Sequence, residues 1–188
     1  KGIPVMDYLH KTMGLPKEDI DKMNKQIAEL AKENNVKSNL ENAIAANSLD
    51  AHRLIKLAAT KGLATKVMQL LSKAYFEDAK DYSDHAVLTE IGVEAGLIKK
   101  EVQDLLTSDE YAYEVKQDIQ EANNLGFDTV PTFLFNRKHA LVGSQPVGAF
   151  LKTLQKSFLK WKRQDRNKNE EVNVTQGKSC SIDGTCDV

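Results

Sequence analysis

The stretch GFDTVPTFLF, residues 126–135, decides how this chain is read. Its second half, Thr132-Phe133-Leu134-Phe135, has the aromatic and β-branched character of a short strand. Yet Pro131 sits against the strand's leading edge. Proline has no N–H for a sheet ladder and is confined to strand starts, edges and bulges. Thr132–Asn136 and His139–Val142 read as two strands, with Asn136-Arg137-Lys138 in the turn between them. Phe133 and Phe135 fall on one face and Leu134 on the other, which implies a sheet covered on both sides. A lone two-stranded ribbon is marginal in water, so the hairpin asks for more strands than the chain supplies.

Upstream of this stretch the apolar period is helical. Pro16 opens a helix through Asn34, with Ile20, Met23, Ile27 and Leu30 on one stripe. Asn47 or Ser48 caps a helix over 50–60 that Gly62 ends. Val67, Leu70, Leu71 and Ala74 mark a third helix. Ser83 is the expected cap of a fourth, which carries Val87, Leu88, Ile91 and Ala95 and stops at Gly96. A short helix covers 99–106. Ser108 is then expected to cap a long one, with Val115, Ile119 and Ala122 inward and Gly126 at its end. Beyond the hairpin, Gly143-Ser144-Gln145-Pro146 leads into an amphipathic helix bearing Val147, Phe150, Leu151, Leu154, Phe158 and Trp161. That stripe reads as core. From Lys162 to Cys180 the chain is polar and reads as unstructured.

Composition excludes several function classes. The 188 residues hold 26 basic and 27 acidic side chains without a basic cluster, which argues against nucleic-acid binding. No apolar run reaches membrane-spanning length, and no secretory apolar region is visible. Cysteine occurs only as Cys180 and Cys186, so the body has neither a disulfide scaffold nor a buried Cys/His metal site. His10, His52, His85 and His139 lack ligand spacing, and no metal is expected. The chain begins with Lys1-Gly2-Ile3 rather than methionine.

The run Gly126–Phe133, followed by Val142-Gly143-Ser144-Gln145-Pro146, resembles the C-terminal half of DsbA-family thioredoxin-like oxidoreductases. Within that family the chain is similar to the FrnE-like branch. The segments Asn47-Ser48-Leu49-Asp50-Ala51-His52-Arg53-Leu54 and Ala74-Tyr75-Phe76 match that branch's helical insertion. The ordered set of segments is specific, whereas VPTF alone is weak. The resemblance implies an α/β chain, mostly helical as given: a thioredoxin-like fold with an inserted helical domain, lacking the N-terminal β-α-β segment. Residues 1–125 would be the inserted domain, 126–163 the hairpin and last helix of the thioredoxin-like domain, and 164–188 a polar tail. An N-terminally truncated chain accounts together for the incomplete sheet, the absent methionine and the cysteine-free body.

The resemblance also implies a site. Pro131 would follow a cis bond, a form seen in only about 5–6% of X-Pro bonds in folded proteins. The loop of Thr129, Val130 and Pro131 would then hold an extended substrate through the Val130 backbone, in β fashion. The catalytic C-x-x-C would lie upstream of residue 1, leaving this chain without catalytic residues of its own. Its low-pKa thiolate would attack a disulfide and form a mixed disulfide that the second cysteine resolves. Gly143, Ser144 and Gln145, at a helix start, are candidates for anion or substrate contact. Glutathione-using branches carry an acidic residue near this point, and Gln145 departs from that pattern. Asn47 and His52 are further candidate contacts, against the plainer readings of a helix cap and an interface residue.

Cys180 and Cys186 form a second candidate redox element. If Ile182-Asp183-Gly184 makes a three-residue loop, the two cysteines face each other at a spacing of about 5.5 Å that suits a disulfide. Closing that loop removes only about 2.4 kcal/mol of chain entropy, so an auxiliary bridge and a reduced tail both stand.

Three functions follow. The first is a DsbA/FrnE-like thiol–disulfide oxidoreductase acting on protein or small-molecule thiols and disulfides without a cofactor. The second is a glutathione-dependent isomerase or transferase of the same superfamily. The third is a non-catalytic helical binding module. A bacterial, cytoplasmic protein is expected, as monomer or homodimer, with no nucleic-acid or membrane partner.

Overall fold

In the computed structural model the backbone is described for residues 2–127 and 129–171, and side chains through Arg163. The expected pairing of Cys180 with Cys186 lies outside the described residues. The chain divides between Glu121 and Ala122 into two compact units.

The first unit is helical. Helices α1 (Val5–Lys11) and α2 (Lys17–Glu33) lead into α3 (Leu49–Ala59), α4 (Ala64–Phe76), α5 (His85–Ala95), α6 (Lys99–Leu106) and α7 (Ala112–Asn124). Two residues of β1 (Ile3–Pro4) pair antiparallel with β2 (Ile44–Ala45). The core sits among α3 to α6, where Leu54, Leu88, Leu105, Val67 and Val102 are fully buried. Each such side chain contributes about 1.5–3 kcal/mol relative to exposure. The close approach of α5 to α6 depends on Gly92, where an added Cβ would lie 2.7 Å from Val102 Cγ2. Arg53 is buried in this unit. Its guanidinium donates to the carbonyls of Leu105, Ser108 and Glu110 and to Asp50, tying α3 to the segment after α6.

Several local expectations are corrected. Asp84, not Ser83, caps α5 by accepting the Ala86 N–H at 2.8 Å, while the Ser83 hydroxyl donates to Asp81 at 2.6 Å. Ser108 does not open α7; its hydroxyl donates back to Leu105 O and accepts the Glu110 N–H, forming a turn before Ala112. Ile119, expected inward, is exposed, so only Val115 of that stripe is fully packed.

The second unit holds β3 (Thr132–Phe135), β4 (His139–Val142) and α8 (Val147–Glu171). The strands pair antiparallel in the register Thr132 to Val142 and Phe135 to His139. Asn136 and Arg137 both take positive φ, and the Lys138 N–H closes the tight turn on Phe135 O at 3.1 Å. Phe133 and Phe135 meet the Phe150 ring edge-on, at centroid distances of 4.8 and 6.5 Å. The reading of the α8 stripe as core does not hold. Val147, Leu151, Leu154, Phe158 and Trp161 are exposed; of that stripe only Phe150 turns inward, beside Thr153 and Ser157. Nor does the backbone become irregular at Lys162, since α8 continues to Glu171.

Candidate functional site

The proline loop is built on the hairpin. Pro131 precedes β3, and the Val130–Pro131 peptide is cis. On one side of Val130, the Thr129 carbonyl accepts the Thr132 hydroxyl at 2.6 Å. On the other, the Pro131 carbonyl accepts the Gly143 N–H at 2.8 Å. Gly143 makes that bond from a φ of 73°, a conformation that glycine adopts without steric cost. The neighbours of Val130 are thus engaged within the loop. Val130 itself is 90% exposed, and among the described residues nothing pairs with its N–H or carbonyl.

The turn at the other end of β4 is also engaged. The Gly143 N–H, expected to be available to an anion, is committed to Pro131, and the Gln145 side-chain amide donates to Val142 O at 2.9 Å. In β4, His139 Nε2 is buried without a hydrogen-bond partner among the described residues. Desolvation, followed by the fields of Lys160, Lys156 and Lys138, holds the imidazole below its ordinary pKa of 6.5.

The other candidates lie in the helical unit. Asn47 acts at the start of α3, its carboxamide oxygen accepting the Leu49 N–H at 2.8 Å. It also lines a cavity of about 660 Å³ with Tyr8, Tyr75 and Tyr82. His52 is exposed on α3 and lines a smaller cavity of about 270 Å³ with Ser48, Met68, Tyr75, Phe76 and Tyr82. A larger open groove of about 870 Å³ follows α5 and α6, past His85, Glu90, Glu94 and Gln103. His85 reaches Asp50 at 3.1 Å. Burial alone would raise the Asp50 pKa, but hydrogen bonds from Arg53 and His85 outweigh it and hold the carboxyl below 3.8. No spacing signal marks Tyr8 and Tyr82, because the aromatic lining of these cavities comes from separate segments.

No group of three or more metal-ligating side chains gathers among the described residues. No described helix is long and apolar enough to cross a membrane. The proline loop carries no cysteine.

Comparison with known proteins places this geometry. Among curated proteins, none matches the chain. Among solved structures, the crystal structure of a probable DsbA oxidoreductase from Streptomyces coelicolor is similar, at 26% identity and a TM-score of 0.79. That match covers 100% of this chain and 77% of the Streptomyces chain. The fold is therefore a mostly helical, DsbA-like thioredoxin fold. Residues 4–155 match the family described as DSBA-like thioredoxin domain, and the chain belongs to that family.

Proposed function

We propose that this chain supplies the substrate-holding half of a thiol–disulfide oxidoreductase of the DsbA/FrnE-like type. The observation that carries the reading is the Val130 backbone, without a partner among the described residues and flanked by two carbonyls already engaged within the loop. An extended substrate segment pairs there in β fashion, and Pro131 offers no competing N–H. Thr129 and Thr132 fix the loop; Val130 presents it. The attacking thiolate comes from a C-x-x-C segment upstream of residue 1, because residues 1–179 contain no cysteine. That thiolate displaces one sulfur of a substrate disulfide as a thiolate, and the resolving cysteine then releases the second.

In this reading residues 1–125 form the inserted helical domain, 126–163 complete the thioredoxin-like domain, and Cys180 and Cys186 are an auxiliary pair. Asn47 and His52 stand as candidate substrate contacts on the helical domain. The glutathione-dependent alternative gains nothing at 143–145, where the Gly143 N–H is engaged and Gln145 replaces an acid.

Two assays test the proposal. The 188-residue chain carrying Cys180→Ser and Cys186→Ser should not reduce insulin; turnover above background sinks the reading. In the protein extended upstream through a C-x-x-C, Val130→Pro removes the presented N–H. It should lower kcat/KM about tenfold, the worth of roughly one hydrogen bond, with the fold intact by circular dichroism. Unchanged kcat/KM would mean that substrate is not held at Val130.

A further inference from the structure

The helical unit contains a cavity lined by Asn47 together with three tyrosines. Its apolar lining includes Ile3, Val5, Leu9 and Ala45, and its aromatic lining is Tyr8, Tyr75 and Tyr82. At about 660 Å³ it falls within the range of small-molecule sites, roughly 300–1,000 Å³. Tyr75 and Tyr82 meet edge-on at a centroid distance of 5.1 Å and also line the second cavity, of about 270 Å³, so both cavities share one aromatic wall.

Two properties of this wall specify a ligand. The first is the distribution of charge. Asp, Glu, Lys and Arg make up 28% of the chain, yet not one of them lines either cavity. An anion or cation entering would lose hydration without a compensating partner, which is costly. The second is the set of unused donors. The Tyr82 hydroxyl donates to Ala46 O at 3.1 Å, but the Tyr8 and Tyr75 hydroxyls have no partner among the described residues. The Asn47 carboxamide oxygen is taken by Leu49 N–H, leaving its NH₂ unpaired. Three unpaired donors at the edge of an aromatic wall match hydrogen-bond acceptors on a flat ring system. Aromatic rings meet such walls offset-stacked or edge-on.

We infer that this cavity is a binding site for a neutral, planar aromatic small molecule carrying carbonyl or hydroxyl acceptors, held by Tyr8, Tyr75 and Asn47. The inference stands apart from the redox reading. It concerns equilibrium binding to the helical unit and needs no thiol.

The test uses three probes with one ring system against the 188-residue chain, by calorimetry and ligand-observed NMR. 1-Acetonaphthone is neutral and carries an acceptor, naphthalene lacks the acceptor, and 1-naphthoate is charged. The ketone should bind with a Kd of about 1 mM, the strength ordinary ligand efficiency gives a fragment of this size. Naphthalene and 1-naphthoate should each bind about tenfold more weakly. Tyr75→Phe keeps the ring and removes the hydroxyl; it should weaken the ketone about three- to tenfold and leave naphthalene unchanged. Asn47→Ala should act in the same direction, and Ile119→Ala, outside the cavity, should do nothing. The inference is overturned if 1-naphthoate binds as tightly as the ketone, or if Tyr75→Phe leaves ketone affinity unchanged. It also fails if N-acetylphenylalaninamide binds at least as well as the ketone, since the cavity would then be one for peptide side chains. Insulin turnover enters none of these outcomes, so failure here and failure of the proline-loop proposal are separately visible.

Discussion

The two units carry the same kind of apolar periodicity and put it to opposite ends. In the helical unit, α5 presents Leu88, Ile91 and Ala95, and neighbouring helices bury all three. In the C-terminal unit, α8 presents Leu151, Leu154, Phe158 and Trp161 at equally regular spacing, and all four remain largely exposed. Among the described residues of that unit, the only side chain in the buried class is Ser157, a hydroxyl on the opposite face of α8. A helical stripe states which residues share a face. It does not state what lies against that face. Four helices packed together settle the question for α5, whereas a two-stranded hairpin covers only one side of α8.

The largest expected effect measures that contrast directly. Leu54→Ala opens a cavity in a fully buried site and should cost about 2–5 kcal/mol in urea unfolding. Leu154→Ala, on the exposed face of α8, should change stability by no more than about 0.5 kcal/mol. Equal losses at the two positions would break the comparison and show that the α8 face is packed in solution.

A second, somewhat smaller effect concerns Arg53. Its guanidinium is the buried charge that joins α3 to the turn before α7, through three carbonyls and Asp50. Arg53→Met keeps much of the side-chain volume but removes the guanidinium donors from the Ser108 and Glu110 carbonyls and leaves Asp50 with His85 alone. Breaking a buried charged cluster from one side should cost about 3 kcal/mol. The loss should appear in the helical unit. If hydrogen exchange showed the β3–β4 hairpin loosening instead, the two units would be coupled more tightly than their cores indicate.

What the sequence made legible follows the same division. The helices over 85–95 and 99–106 were readable because their stripes are bounded by Gly96 and by tight turns. The hairpin was readable because Asn136-Arg137-Lys138 interrupts two short apolar runs. The caps were not. Ser83 and Asp84 are both competent, and only the extended backbone of Asp84 decides which side chain reaches the first free N–H. Ile119 was misplaced for the reason that misplaced the α8 stripe: periodicity fixes a face relative to its own helix, not to a neighbour. In the candidate site, the exposed loop at Val130 was legible only through the family resemblance, since Pro131 alone reads equally as a strand start. The engagement of the Gly143 N–H was not, because it is a bond across twelve residues between two turns. Tyr8 and Tyr82 escaped notice as a site because no sequence spacing links them, Tyr8 coming from α1 and Tyr82 from the segment after α4.

The smallest expected effect separates the units by acid. His139 stands in β4 with a buried Nε2 that lacks a partner, facing Lys138 on its own hairpin and Lys156 and Lys160 on α8. Desolvation and those three cations depress its folded pKa below 6.5. The unfolded chain therefore takes up a proton first as pH falls. Stability contributed by neutral His139 is present above pH 6.5 and declines below it, until the folded pKa is reached. Asp50, whose folded pKa is also depressed, behaves differently because it is an acid. Its contribution is complete above the ordinary carboxylate range and is lost only as pH falls through the folded value, below 3.8. Between pH 6.5 and 4, then, protection factors in β3 and β4 should fall while those in α3 and α5 hold. His139→Gln should flatten the hairpin's response over that range and leave the helical unit's response below pH 4 unchanged. A hairpin indifferent to pH between 7 and 5 would show that the imidazole is hydrated, and the contrast between the units would then rest on packing alone.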